Sequence, residues 1–204
     1  MMCNISLYAS RPNLGKYKFI TDYINNNQDK SILLLGLQAD STWYLKHIIS
    51  NTLNVNSKRI EKYLYPCSIY TKDITDSIDK DVFIDTLEKL HNSKLIIKDY
   101  PNYILEKNNL LDVVIEDIKS IKPNIIMIDR LEELVNYSNK NLDEILSTLK
   151  ELSNNEIIIF NFLNKEFEET YKIDSKYIDN LKTLSKYINN IYIIYDKEGN
   201  IKKI

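Results

Sequence analysis

The segment Ser10-Arg11-Pro12-Asn13-Leu14-Gly15-Lys16-Tyr17 has the residue types of an anion cradle. A flexible loop that opens a helix points backbone N–H groups at a bound phosphate, and a lysine placed there neutralises its charge. The general pattern for such a loop is G-x-x-x-x-G-K-[ST]. Here Gly15 and Lys16 supply its second glycine and its lysine. Ser10 stands where the first glycine belongs, and Tyr17 stands where a small hydroxyl side chain would bind Mg²⁺. Taken alone, the same letters also describe a strand–turn–helix connection with a chance Gly-Lys. A second chemical candidate is Asp129, the acid that ends the run Ile125-Ile126-Met127-Ile128. Four aliphatics before it make a plain polar strand end the weaker reading.

The elements that must position these residues follow from hydrophobic periodicity. Ile5–Ala9 reads as a first strand and Gly15–Asn26 as a helix with Phe19, Ile20, Tyr23 and Ile24 on one face. Ser31–Leu37 is a continuous apolar run, the signature of a strand buried on both faces. Ser41 is expected to cap a helix to about Leu53, with a shorter helix over Ser57–Leu64. Asp79–Asn92 and Asn109–Ser120 are predicted helices, and Lys94–Lys98 is the strand between them. Ile125–Asp129, Glu156–Phe162 and Ile191–Tyr195 are predicted strands, and Leu142–Leu152 is a predicted helix. Asp196–Asn200 looks like a hairpin turn, with Ile201–Ile204 returning. Strand–helix alternation of this kind predicts an α/β protein with a mostly parallel sheet between two helical layers.

Several of these stretches, in this order, resemble the ATPase domain of DnaB-type replicative helicases. Tyr8-Ala9-Ser10-Arg11-Pro12-Asn13-Leu14-Gly15-Lys16 is similar to that family's A-[AG]-R-P-[SG]-M-G-K-T loop. Ile32-Leu33-Leu34-Leu35-Gly36-Leu37-Gln38 resembles V-L-F-F-S-L-E, and Lys98-Asp99-Tyr100-Pro101 resembles D-D-T-P. Ile125–Asp129 resembles the L-I-V-I-D strand that carries the Walker B acid. Ile158-Ile159-Phe160-Asn161-Phe162-Leu163-Asn164-Lys165 resembles V-I-A-L-S-Q-L-N-R, and Ile193–Glu198 resembles F-L-Y-R-D-E. The resemblance implies a RecA-like P-loop NTPase fold, three-layer α/β/α, occupying residues 1–204 as one domain. It implies ATP or ADP as ligand on Ser10, Arg11, Pro12, Asn13, Gly15, Lys16 and Tyr17, with Mg²⁺ near Asp129.

The departures from the family's pattern are chemical. Tyr17 replaces the metal-binding Ser/Thr, and a rigid phenol does not reproduce a hydroxyl next to its own backbone, so Mg²⁺ binding is expected to be weak. Gln38 stands at the position of the catalytic Glu, and an amide does not accept the proton of an attacking water. Asp40 lies two residues on and is expected to point elsewhere. Phe162 replaces the sensor Gln. Lys202 and Lys203 read as a solvated end, and Glu132 as a surface or cap residue. Because the first strand begins almost at Met1, the family's N-terminal domain and its linker helix are expected to be absent, which argues against a self-standing unwinding ring.

The composition is ordinary: 204 residues, 44% hydrophobic, 27% charged, formal net charge −2. This excludes a disordered chain and gives no global basic surface for nucleic acid. No apolar run approaches a membrane span and no signal pattern is present, so the expectation is a cytoplasmic protein. Cys3 and Cys67 have no partners at metal spacing. Trp43 reads as core or partner surface, and His47 and His91 as structural. The first functional expectation is a degenerate DnaB-like module linked to DNA replication, in a phage, plasmid or mobile element, that binds nucleotide weakly or does not hydrolyse it. Its partner would be a replicative helicase or another replication protein. The alternatives are an active DNA-dependent ATPase completed by a partner, and a structural interaction protein with an empty nucleotide pocket.

Overall fold

A computed structural model describes residues 3–12, 14–64, 78–100, 109–152, 155–163 and 178–204. The strands are β1 (Asn4–Ser10), β2 (Ile32–Gly36), β3 (Leu95–Asp99), β4 (Ile125–Asp129), β5 (Glu156–Phe162), β6 (Asn190–Ile194) and β7 (Ile201–Lys203). They form one sheet in the order β3-β2-β4-β5-β1-β6-β7. Every pairing is parallel except β6 with β7, where Ile194 faces Ile201. The expected α/β sheet and its hairpin end are both present. Cys67, Asn13, Pro101, Asn164 and Lys165 lie outside the described residues.

Alternation along the strands builds the three layers. Ile5, Leu7, Ala9, Leu33, Leu35, Ile126, Ile128, Ile157 and Ile159 face one side. Helices α5 (Leu110–Ile121), α6 (Leu131–Asn136), α7 (Leu142–Lys150) and α8 (Leu181–Tyr187) cover that side. Tyr8, Ile32, Leu34, Ile125, Met127, Ile158 and Phe160 face the other, under α1 (Lys16–Asn26) and α2 (Ser41–Thr52). Each fully buried Ile or Leu contributes roughly 1.5–3 kcal/mol, so both faces of the central strands are strongly specified. Helices α3 (Ser57–Leu64) and α4 (Lys80–Asn92) share a smaller cluster around Ile49, Ile60, Ile78 and Phe83.

One local expectation changes. Asp40 caps α2, accepting from the Trp43 N–H at 2.7 Å. Ser41 is the first helical residue instead, and its N–H donates to the Asp99 carboxylate at the end of β3. A carboxylate is the stronger acceptor at a helix start because it also meets the positive end of the helix dipole. The short helices α6 and α8 carry no signal in the sequence; six and seven residues are too few to show a helical period. Among the described residues, no helix is long and apolar enough to cross a membrane.

Candidate functional site

Parallel strands deliver their C-terminal ends to one edge of the sheet, where open α/β sheets carry their sites. Here that edge brings together Ser10 of β1, the loop and start of α1, Gly36 of β2, Asp129 of β4 and Phe162 of β5. Gln38 follows β2, and Asp129 accepts a hydrogen bond through its backbone carbonyl from Leu37 N at 2.8 Å.

Asp129 is the centre. It is 0% exposed, and Lys16 beside it is 5% exposed. The Lys16 ammonium donates to one carboxylate oxygen at 2.6 Å. The hydroxyls of Tyr17 and Tyr44 donate to the other at 3.2 and 2.9 Å. Burial lowers the Lys16 pKa, and the Asp129 charge opposes that shift. Burial, then the Asp129 charge, pushes both phenols far above their ordinary range, so they stay protonated and donate.

Steric fit holds Tyr44 in place. Its ring lies on Gly36, where a Cβ would fall 2.4 Å from a ring carbon. Tyr17 packs edge-on against Trp43 at 4.8 Å and stacks on His47 at 5.2 Å. Burial, with the nearby Lys46 charge, depresses the His47 pKa from 6.5 to about 4. Trp43 is thus part of the partly buried wall of this site.

The loop itself is folded back. Leu14 N donates to Arg11 O at 3.3 Å and Lys16 N to Leu14 O at 2.8 Å, so two of its N–H groups are used internally. Gly15 adopts φ 63°, and a Cβ on it would lie 2.1 Å from Asp196 O and 2.8 Å from Gly199 N. The β6–β7 turn therefore sits directly on the loop. Ser10 Oγ is buried with no hydrogen-bond partner among the described residues. Arg11 is half-buried and Pro12 exposed. Beside the loop a cavity of about 300 Å³ opens between Gly15, Lys16, Lys18, His47, Asn51 and Lys197.

Gln38 is exposed, and no hydrogen bond that holds Asp129 involves its side chain. The Phe162 ring lies 5.3 Å from the Lys16 ammonium and 4.4 Å from the Arg130 guanidinium. Glu132, expected at the surface or as a cap, lies in the first turn of α6 and is half-buried rather than exposed. One of its oxygens accepts from Phe162 N at 3.3 Å, and with the Asn161 amide nitrogen turned toward it both oxygens accept at 2.5–2.6 Å. Burial raises its pKa. Arg130 is turned instead to Glu133, at 2.6 Å.

Sequence reasoning missed Tyr44 and Glu132. Gly36 was the available signal for Tyr44, since a glycine ending an all-aliphatic strand marks a close approach. For Glu132 the signal was weaker, its place three residues after a buried acid.

A Mg²⁺–nucleotide does not fit these residues as arranged. Mg²⁺ needs oxygen donors in near-ideal octahedral geometry. Asp129 is sealed from solvent and its oxygens take three donors. The ammonium that would meet a phosphate is bound to that acid. Among the described residues, no group of three or more His, Cys, Asp or Glu could hold a metal.

No family model matches the chain. Among solved structures it is similar to a DnaB-like helicase ATPase domain, with TM-score 0.71 and 16% identity over 98% of this chain and 80% of that one. It is also similar to a DnaB-like replicative helicase described with its interactions with primase, at TM-score 0.68 and 18% identity. That match covers 98% of this chain and 55% of the helicase. The architecture is therefore the RecA-like fold of DnaB-type helicase ATPase domains. Curated sequences give a scattered picture. A probable DNA-directed RNA polymerase of Agaricus bitorquis is 25% identical over 88% of this chain. A component of the V-type ATP synthase of Clostridium tetani is 30% identical over 63% of it. The chain spans only 18% and 57% of those two proteins. They name unrelated activities.

Proposed function

We propose that the chain is a degenerate DnaB-helicase-like unit, one RecA-like domain that serves DNA replication by binding rather than by hydrolysis. The observation that carries this reading is the state of Asp129. The acid expected to organise Mg²⁺ is buried and bound by Lys16, Tyr17 and Tyr44. Gln38, where a general base is required, is an exposed amide; loss of such a base costs on the order of 10²–10⁴ in rate. Nucleotide affinity is at most weak, through Gly15, Lys16 and the basic cavity beside them. The partner is a replicative helicase or another replication protein that recognises the preserved fold.

ATP turnover in Mg²⁺, with and without single-stranded DNA, tests this. The expected result is no turnover above that of Lys16→Ala. Robust turnover that depends on Lys16 overturns it. A second reading, a purely structural interaction protein with an empty pocket, is favoured by the Asp196–Gly199 turn seated on Gly15. Calorimetry with ATP, ADP and GTP separates the two: saturable binding lost in Lys16→Ala eliminates the second.

A further inference from the structure

An acid that has merely lost its metal is expected to be exposed, or replaced by an apolar residue, because a buried unpaired carboxylate is costly. Asp129 is neither. It is kept at 0% exposure, and the protein is built around it. Tyr17 comes from α1 and Tyr44 from α2, yet both hydroxyls reach the same carboxylate oxygen. The chain has three glycines, and all three serve this region. Gly36 admits the Tyr44 ring, while Gly15 and Gly199 meet where the hairpin turn closes on the loop.

We propose that the Tyr17 and Tyr44 hydroxyls, with the Lys16 ammonium, take the place around Asp129 that a divalent cation and its ligands would take, locking the site in a metal-independent state. This rests on the reading of the chain as a non-hydrolysing domain and names the residues responsible. A cation entering here displaces two phenols and adds two positive charges beside a buried ammonium. Mg²⁺ also sheds its water reluctantly. The Lys16–Asp129 pair is neutral as it stands, so the lock gains nothing from metal.

The test uses the full chain and Mn²⁺ as the probe, with binding read from water-proton relaxation. The chain's single tryptophan, Trp43, 4.8 Å from Tyr17, gives a second optical signal. Wild-type protein is expected to bind no Mn²⁺ at Asp129. Tyr17→Thr with Tyr44→Phe is expected to gain Mn²⁺ binding at least about tenfold tighter than the background binding of wild type, a difference of about 1.4 kcal/mol. Adding Asp129→Asn should abolish the gain. If that variant does not fold, Tyr17→Phe with Tyr44→Phe decides, because it removes only the hydroxyls and keeps the rings against Trp43 and Gly36. Asp129-dependent Mn²⁺ binding by wild type overturns the lock, as does a folded hydroxyl-free variant that gains none. ATP turnover by wild type would instead sink the functional reading, so the two failures are told apart.

Discussion

Asp129 and Glu132 stand three residues apart at the end of β4 and the start of α6, and the protein treats them in opposite ways. Asp129 is sealed and neutralised by the Lys16 ammonium, with two phenols completing its hydrogen bonds. Glu132 is half-buried and takes its hydrogen bonds from neutral donors, the Phe162 N–H and the Asn161 amide, with the Arg130 charge acting on it from nearby. The neighbouring base, Arg130, is committed to Glu133. The chemical result differs accordingly. The paired acid anchors two helices to the sheet, whereas the other has its pKa raised by burial.

Breaking the pair should give the largest effect. Lys16→Met leaves Asp129 buried and uncompensated, and is expected to cost about 3–5 kcal/mol, the range seen when one partner of a buried ion pair is removed. Urea unfolding measures it. Adding Asp129→Leu should recover most of the loss, because the cost lies in the stranded charge. If the double variant is no more stable than Lys16→Met, the pair does not anchor the fold. Gly36→Ala comes next and attacks the same acid without touching charge. Its Cβ would lie 2.4 Å from the Tyr44 ring, so the ring must move and draw its hydroxyl from Asp129. Overpacking of this kind costs typically 1–3 kcal/mol. Tyr44→Ala in the Gly36→Ala background should then add less than it does in wild type, and full additivity would show that the two do not share a contact.

The contrast between the two acids also marks what the sequence could say. Ile125–Asp129 announced itself, because four aliphatics followed by an acid rarely describe anything but a buried strand with a polar end, and the strand has those bounds in the structure. Gly15 and Lys16 were legible as a loop in front of a helix. What was not legible was direction. Nothing in the order of letters tells whether the lysine faces outward to a phosphate or back to Asp129; that depends on Tyr44, which arrives from a different helix 28 positions after Lys16. Glu132 was hidden by the brevity of α6. A six-residue helix shows no face, so an acid in its first turn reads as an N-terminal charge on the surface. Tertiary closure of α6 over the end of β5 buries it.

Neutralising the second acid sharpens the comparison at smaller scale. Glu132→Gln keeps an acceptor for Phe162 N and removes the charge, so stability near neutral pH should hold or rise, by up to about 1 kcal/mol, where Asp129→Asn should lower it. The pH dependence gives the finest test. The folded-state pKa of Glu132 is raised, so its charge penalises folding above that pKa, and stability returns as pH falls through it. His47, stacked on Tyr17 beside the other acid, acts oppositely. Its pKa falls from 6.5 to about 4, so the unfolded chain takes up its proton first and stability drops as pH falls across that window. In wild type the two slopes offset where they overlap. Removing Glu132 should expose the His47 loss as a steeper fall of the urea midpoint below about pH 6.5. His47→Gln should make the fall toward acid shallower than in wild type across that window. Identical profiles for wild type and both variants would mean that neither group is held as these contacts require.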